Sequence, residues 1–472
     1  MNAADTPTDL HAIFERQRAA FAAAPFPDHA VRSDRLRRLA RVLTENESAI
    51  CDAIDRDFGG RPRIETELAE IWPGLEELKT AASQVARWMK PRRAGVSKWF
   101  LPATAQVMPQ PLGVVGIIVP WNYPLYLAVG PMAAALAAGN RVMVKMSEFT
   151  PAFSAEFRSL CARCFSDDEL CIVTGGPAVA AQFSALPFDH LLFTGSTTIG
   201  RKVMAAAAAN LTPVTLELGG KSPAVIAPGY PIQHAVERIL AGKLLNAGQT
   251  CIAPDYVLLP RATLGEFVAT AHATARRLYP GGLADGNWCS VINERQYQRL
   301  SAGLDELAAH GTTVESLFPG AARDDTRHRL APALVIDPPL DSTLMRDEIF
   351  GPPLPVIPYD DVEEAIAFIT ARARPLALYW FDRDTARIQD ALQRTHAGGV
   401  SVNDTLLHIA QHTLPFGGVG ASGMGHYHGR WGFDTFSKLK PVFRQARFNG
   451  LRLFLPPYSQ TMRRLLEIMK RH

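Results

Sequence analysis

The stretch "GVVGIIVPWNYPLYLAVGPMAAALAAGNRVMVK" (113–145) decides the fold. No side chain between Lys98 and Arg141 carries a charge, so a membrane span is the first suspicion. Pro109, Pro111, Pro120, Pro124 and Pro131 break the stretch, along with Gly113, Gly116 and Gly130, and no apolar run long enough to span remains. What remains is a buried strand at 113–119, a buried helix at 123–139 and a second strand at 141–145. Gly139-Asn140 suits a left-handed helix end. Strands that are apolar throughout, rather than alternating, belong to parallel sheets covered on both faces.

The same alternation extends outward. "ELCIVTG" (169–175) and "DHLLFTG" (189–195) read as strands separated by helical segments. From about residue 213 a second alternating region begins with "PVTLELGG", "SPAVIA" and "DYVLLP", and "PLALYWF" and "GGVSVN" follow later. Leu36, Leu39, Leu43, Ile50 and Ile54 recur at helical spacing among charges, so the first ~90 residues read as amphipathic helices. The fold class is α/β, with open parallel sheets that bind ligands beyond their strand ends.

Bulk properties exclude several classes. The chain has 472 residues, 47% hydrophobic and 20% charged, as in ordinary globular proteins of two or three domains. A net charge of +3 without a single-sign block gives no reason to expect a nucleic-acid partner. The six cysteines show no disulfide-scaffold spacing, and Cys161 and Cys164 form a lone CxxC without the second pair a zinc site wants. "MNAADTPTDLHAIFERQ" lacks a basic start followed by an apolar core, so the expected location is the cytoplasm, with no integral membrane segment. After Phe448 the tail carries Met462, Leu465, Leu466 and Met469 among arginines and lysines. Such a basic amphipathic helix either lies on a membrane or packs on protein, and packing on the protein or a partner subunit is the expectation.

Candidate chemistry clusters at element ends. Asn122 in "VPWNYP" is the only strongly polar side chain between Gln110 and Asn140; its amide suits either an oxyanion or the start of the next helix. Lys145, Ser147 and Glu148 follow a buried strand and suit ribose hydroxyls or a solvated helix start. In "FTGSTTIG" (193–200), Gly195, Ser196 and Gly200 flank a helix N-terminus that attracts phosphate. Glu217 in "LELGGKSP" is a general base or an exposed strand glutamate. Cys251 in "NAGQTCIAPD" (246–255) is a nucleophile or a buried hydrophobe. "EIFGP" (348–352) offers an acid and a ring, and residues 414–437 form a glycine-dense loop. His426 and His428 have HxH spacing but no third ligand, so no metal is expected.

Taken together these segments resemble the aldehyde dehydrogenase superfamily from about residue 30 to 440. "ELGGKSP" and "NAGQTCIAPD" occur in the expected order, 34 residues apart from Glu217 to Cys251. "SGMGHYHG" resembles the class 3 branch, and "SVNDTLLHIAQHTLPFGGVG" is similar to bacterial coniferyl aldehyde dehydrogenases. The resemblance implies Cys251 as nucleophile, Glu217 as general base and Asn122 as oxyanion amide. It implies cofactor contacts from Trp121, Lys145, Ser147, Glu148, Gly195, Ser196, Gly200, Leu218, Glu348 and Phe350. It also implies a Rossmann-like cofactor-binding domain (1–103 and 114–212), a catalytic domain (213–410), and oligomerisation or bridging elements (104–113 and 411–472). The expected cofactor is NAD, with NADP also accepted; the expected assembly is a homodimer. The expected reaction is NAD(P)-dependent oxidation of an aldehyde, aromatic and coniferyl-like, with a medium-chain aliphatic aldehyde as the alternative. A cofactor-independent cysteine hydrolase would need a histidine base beside Cys251, which no motif supplies. Two departures from the common pattern stand out: residues 123–140 contain no lysine, and Met146 replaces the proline of "KPSE", which loosens the expected ribose loop.

Overall fold

The structure is a computed structural model that describes residues 9–471. The N-terminal stretch read for a targeting signal lies partly outside the described residues, as does His472. Four of the N-terminal helices, Leu10–Ala23, His29–Glu45, Glu47–Phe58 and Trp72–Trp88, bear out the periodicity. Leu36, Leu39, Leu43, Ile50 and Ile54 are all fully buried in one core with the apolar helix Tyr126–Ala138. All 13 residues of that helix are buried, which is why its sequence shows no polar face. Gly139 closes it in the left-handed conformation at φ 95°. Asn140 then stitches the segment before the first strand, accepting from the Leu112 and Gly113 N–H groups at 2.7 and 3.0 Å.

Two sheets dominate. The first has six strands in the order Gly423–Met424, Val214–Leu218, His190–Gly195, Val114–Ile118, Arg141–Lys145 and Leu170–Val173. It is parallel except for the short Gly423–Met424 edge. The second has seven strands: Thr313–Ser316, Ala333–Ile336, Pro353–Tyr359, Tyr256–Pro260, Pro223–Ile226, Ala377–Phe381 and Gly399–Val402. Only Thr313–Ser316 runs antiparallel there. A third, antiparallel sheet joins Arg92–Ala94, Thr104–Pro111 and Ser437–Arg444.

Two expectations change. Val214–Leu218, expected to open the catalytic domain at 213, pairs with His190–Gly195 in the first sheet; its apolar face completes that core through Leu216 and Leu218. The segment expected as a bridging element, 104–113, supplies Thr104–Pro111 as the central strand of its sheet, between Arg92–Ala94 and Ser437–Arg444. The buried helix starts at Tyr126 rather than 123, since Pro124 disfavours helical backbone at Tyr123. The tail helix Gln460–Lys470 has no fully buried residue, and its apolar Met462, Leu465 and Met469 are half-buried. No helix among the described residues is long and apolar enough to cross a membrane.

Candidate active site

The two large sheets meet across a cleft of about 880 Å³. From the first sheet, residues just past the strand ends line it: Trp121 and Asn122, Gly195 and Ser196, and Gly219 to Lys221. From the second sheet, residues just before the strands line it: Cys251 ahead of Tyr256–Pro260, and Glu348 and Phe350 ahead of Pro353–Tyr359. Glu217 and Leu218 complete the set.

Cys251 stands at the end of a loop held from several sides. The backbone at Asn246 and Ala247 is left-handed, at φ 53° and 50°. Such conformations are costly outside glycine and persist only when the surroundings enforce them. Here Gln249 does so: its Nε2 donates to the Asn246 and Ser290 carbonyls at 2.9 and 3.0 Å, and its Oε1 accepts from the Ile292 N–H at 2.9 Å. The Asn122 amide donates to the Gln249 carbonyl at 3.1 Å, tying the turn after the first strand to the loop two residues before the thiol. Burial, then the nearby Glu348 and Glu217 carboxyls, push the Cys251 thiol up to about 12; its own N–H and that of Ile252 oppose the rise.

Glu217 lies on a buried strand, in register with Thr194 on one side and Gly423 on the other. Gly423 sits at φ 143°, and a Cβ there would stand 2.0 Å from the Leu216 carbonyl oxygen, so only glycine lets that edge approach. Neither carboxyl oxygen of Glu217 has a hydrogen-bond partner, and burial raises its pKa well above the usual carboxylate range. Glu348 folds back onto Gly219 and Gly220, and a side chain at 219 would displace its carboxyl. Burial raises Glu348 to about 8, with the Asp255 charge adding to the rise.

Of the remaining expected residues, Ser196, Gly195, Trp121, Leu218 and Phe350 line this cleft, and the others lie elsewhere. Ser196 caps the helix Thr197–Ala208, accepting from the Ile199 N–H at 3.4 Å, so the helix N-terminus faces the cleft. Gly200 lies one turn inside, where a Cβ would meet Leu218 at 2.6 Å; it permits packing and does not line the cleft. Trp121 and Phe350 meet edge-on, ring centroids 5.2 Å apart. Lys145, Ser147 and Glu148 sit away from Cys251. Ser147 and Glu148 line a second cleft of about 630 Å³ with Arg158 and Thr174 to Gly176. Lys145 is buried beneath, donating to the Met146 carbonyl at 2.6 Å with Glu148 at 3.7 Å. Burial holds its pKa below the usual lysine value.

Sequence reading missed the supports. Lys221 pairs with Asp255 and donates to the Leu344 and Asp347 carbonyls at 2.7 and 3.1 Å. Asp255 in turn accepts from the Ile349 N–H at 2.9 Å, which sets the turn carrying Glu348 and Phe350. Both lie inside the quoted motifs, "GGK" and "APD", so their charges in an otherwise apolar setting were the available signal.

A thiol, an amide and an unpartnered carboxyl facing a long cleft fit the profile of the Aldehyde dehydrogenase family, which matches residues 2–442. The chain belongs to that family. It is an NAD(P)-dependent enzyme that oxidises aldehydes, built on the family's α/β fold. It is 52% identical over 457 residues to a probable coniferyl aldehyde dehydrogenase of Pseudomonas aeruginosa, covering 97% of this chain and 95% of that one. It is 44% identical to a coniferyl aldehyde dehydrogenase of a Pseudomonas species, covering 93% and 92%. A substrate-bound structure of Staphylococcus aureus AldH superposes with a TM-score of 0.92 at 34% identity, covering 99% of this chain and all of that one.

Proposed function

We propose that Cys251 attacks the aldehyde carbon, that Asn122 and the Cys251 N–H hold the resulting oxyanion, and that Glu217 is the base that frees the acid. The observation that carries this is the meeting of Cys251, Asn122 and an unpartnered Glu217 in one cleft. A buried carboxyl with no partner is costly, and a raised pKa makes it a stronger proton acceptor once ionised. The thiol adds to the carbonyl, and its proton leaves through Glu217 or water. Collapse of the oxyanion leaves a thioester on Cys251; NAD(P), held in this cleft, would accept the hydride released. Glu217 takes a proton from water as that water attacks the thioester.

Residues present fit such a cofactor. The capped helix N-terminus at Ser196 and Thr197 suits a pyrophosphate, and Trp121, Phe350 and Glu348 frame the nicotinamide end. The second cleft, with Ser147, Glu148 and Arg158, suits the adenosine end. Glu148 favours a ribose 2′-hydroxyl, and Arg158 in the same cleft offers a counter-charge to a 2′-phosphate. The cofactor is therefore NAD, with NADP accepted.

The substrate is an aromatic aldehyde of the cinnamaldehyde type. The coniferyl relatives support this, as do Trp121 and Phe350, the aromatic rings that line the cleft. Tyr123, Tyr126 and Trp72, which the sequence suggests as aromatics near the mouth, do not line it: the two tyrosines are buried and Trp72 is 55% exposed. Flat rings gain from aromatic neighbours. A panel setting coniferaldehyde and benzaldehyde against acetaldehyde and hexanal, with NAD and NADP separately, tests it: higher kcat/KM for the aromatic pair is expected, and preference for acetaldehyde overturns it. The edge strand Ser437–Arg444, which exposes Leu439 and Phe443, supports a homodimer, since an unpaired strand edge is a template for pairing with a second copy. Sedimentation at micromolar concentration should show two chains per particle. The chemistry takes place in the cytoplasm, consistent with six unpaired cysteines.

A further inference from the structure

Beneath the turn that carries Asn122 lies a charge cluster which no motif flagged. Arg61 and Glu70 form an ion pair at 2.7 Å, and neither side chain has any solvent exposure. The pair is not isolated. The same Arg61 Nη1 also donates to the Asn122 carbonyl at 3.1 Å. The guanidinium is stacked between two rings, 5.0 Å from the centroid of Phe58 and 4.9 Å from that of Tyr123. The other Glu70 oxygen accepts from the Leu125 and Tyr126 N–H groups at 2.7 and 3.2 Å. The helix Tyr126–Ala138 has no side-chain cap of its own, so a carboxylate from a distant segment supplies one. A third member, Glu65, accepts from the Asn246 N–H at 3.1 Å, at the left-handed start of the loop leading to Cys251. Asn246 closes the circuit by donating its amide to the Asn122 carbonyl at 3.1 Å.

The local backbone is adapted to this arrangement. Glu67–Ile71 forms a π-turn inside a helical run, a rare geometry that re-aims a side chain and recurs at functional sites. It ends just after Glu70. Stability alone does not account for such a pair, because well-packed apolar residues of similar volume commonly replace a buried ion pair at no cost. Apolar residues would not hold the Asn122 carbonyl or the two N–H groups that follow it.

We propose that Arg61 and Glu70, with Glu65, are positioning residues for aldehyde oxidation: they lock the Asn122 turn against the Cys251 loop so that the Asn122 amide stands ready for the oxyanion. None of the three lines the cleft, and each acts through backbone it holds. The proposal rests on the reading of Asn122 as oxyanion amide, and a double-mutant cycle separates the two.

The readout is the rate of the first-turnover NADH burst after mixing holoenzyme with aldehyde. Asn122→Ala alone should slow the burst by about 10² or more. Arg61→Met, which keeps length and apolar stacking, should slow it at least about tenfold, because small misplacements of a reacting group carry penalties of this size. In the Asn122→Ala background the same Arg61→Met change should slow it less than about threefold, since the group it positions is gone. NADH binding, followed by fluorescence, should shift less than about threefold in all variants. Equal factors in the two backgrounds overturn the positioning role while leaving Asn122 as oxyanion donor. An undiminished burst in Asn122→Ala removes the oxyanion reading, and a slow Arg61→Met enzyme would then owe nothing to Asn122, which also overturns the proposal. Should Arg61→Met not fold, Arg61→Lys enters the same cycle; it keeps the charge but loses the planar fork held between Phe58 and Tyr123, and the same comparison decides.

Discussion

Glu70 and Glu217 are equally buried and stand on either side of the same catalytic turn, yet their surroundings are opposite. Glu70 accepts from a guanidinium and two backbone N–H groups, which oppose the rise in pKa that its burial causes. Glu217 has no partner at either oxygen. Burial by itself therefore does not distinguish a structural carboxylate from a reactive one; partnership does. A paired carboxylate commits its oxygens to fixing geometry, whereas an unpaired one leaves them available for chemistry. The proposed nucleophile follows the second pattern. Cys251 sits on a loop bonded at nearly every residue, but its own thiol faces the cleft with only two backbone N–H groups to steady a charge.

The sharpest way to break this contrast is to remove the thiol. Cys251→Ala should abolish aldehyde-dependent NADH formation, burst included, while still binding NADH; residual oxidation would end the covalent route. The next test acts on the unpaired carboxyl. Glu217→Gln should retain a burst of up to about one NADH per site, followed by a steady rate lower by at least ~10². Since the Glu217 pKa lies above the usual carboxylate range, the parent's deacylation rate should climb with pH above that range, and the variant should lack this limb. A burst-free variant would place Glu217 in the thiol step instead.

Stability should separate the two carboxylates in the opposite direction. Glu70→Ala strands a buried guanidinium and two N–H groups and should cost ~3–5 kcal/mol in denaturant unfolding. For Glu217 the sign follows from linkage. A folded pKa raised above 4.5 means the native state holds a proton that the unfolded chain has lost, so this group's contribution falls as pH rises from about 4.5 through its folded pKa. Glutamine does not titrate. The Tm of Glu217→Gln relative to the parent should therefore increase with pH across that window, and a flat difference would contradict the raised pKa. The smallest effect belongs to the outer cleft, where Glu148 is half open to water and partnered by Lys145. Glu148→Gln should shift the kcat/KM ratio toward NADP by about tenfold, as removal of one repulsive charge near a 2′-phosphate would; an unchanged ratio would place the ribose elsewhere.

Much of this was readable before any coordinate. Strands apolar on both faces can only be parallel and covered, so "GVVGIIV" and "RVMVK" fixed the sheet class, and helix periodicity placed Leu36 to Ile54 in the core. The motifs also ordered the chemistry, because Glu217, Cys251 and Glu348 sit at strand boundaries that alternation reveals. Tertiary structure alone decided how these segments meet. Val214–Leu218 reads the same whether it joins the first sheet or the second, since both offer a parallel apolar neighbour; only the pairing with His190–Gly195 and Gly423 settles it. Arg61, Glu65 and Glu70 read as ordinary charges in and before a helical segment, because, apart from the Arg61–Glu70 pair itself, their partners lie between 55 and 181 residues away. The tail helix is amphipathic by sequence, but how far its apolar face is covered depends on where Leu451–Phe454 delivers it, and here Met462, Leu465 and Met469 end half-buried. Local pattern determines which faces must be covered; chain-distant contacts determine what covers them, and a hydrogen bond from Arg61 to Asn122 leaves no trace in either local pattern.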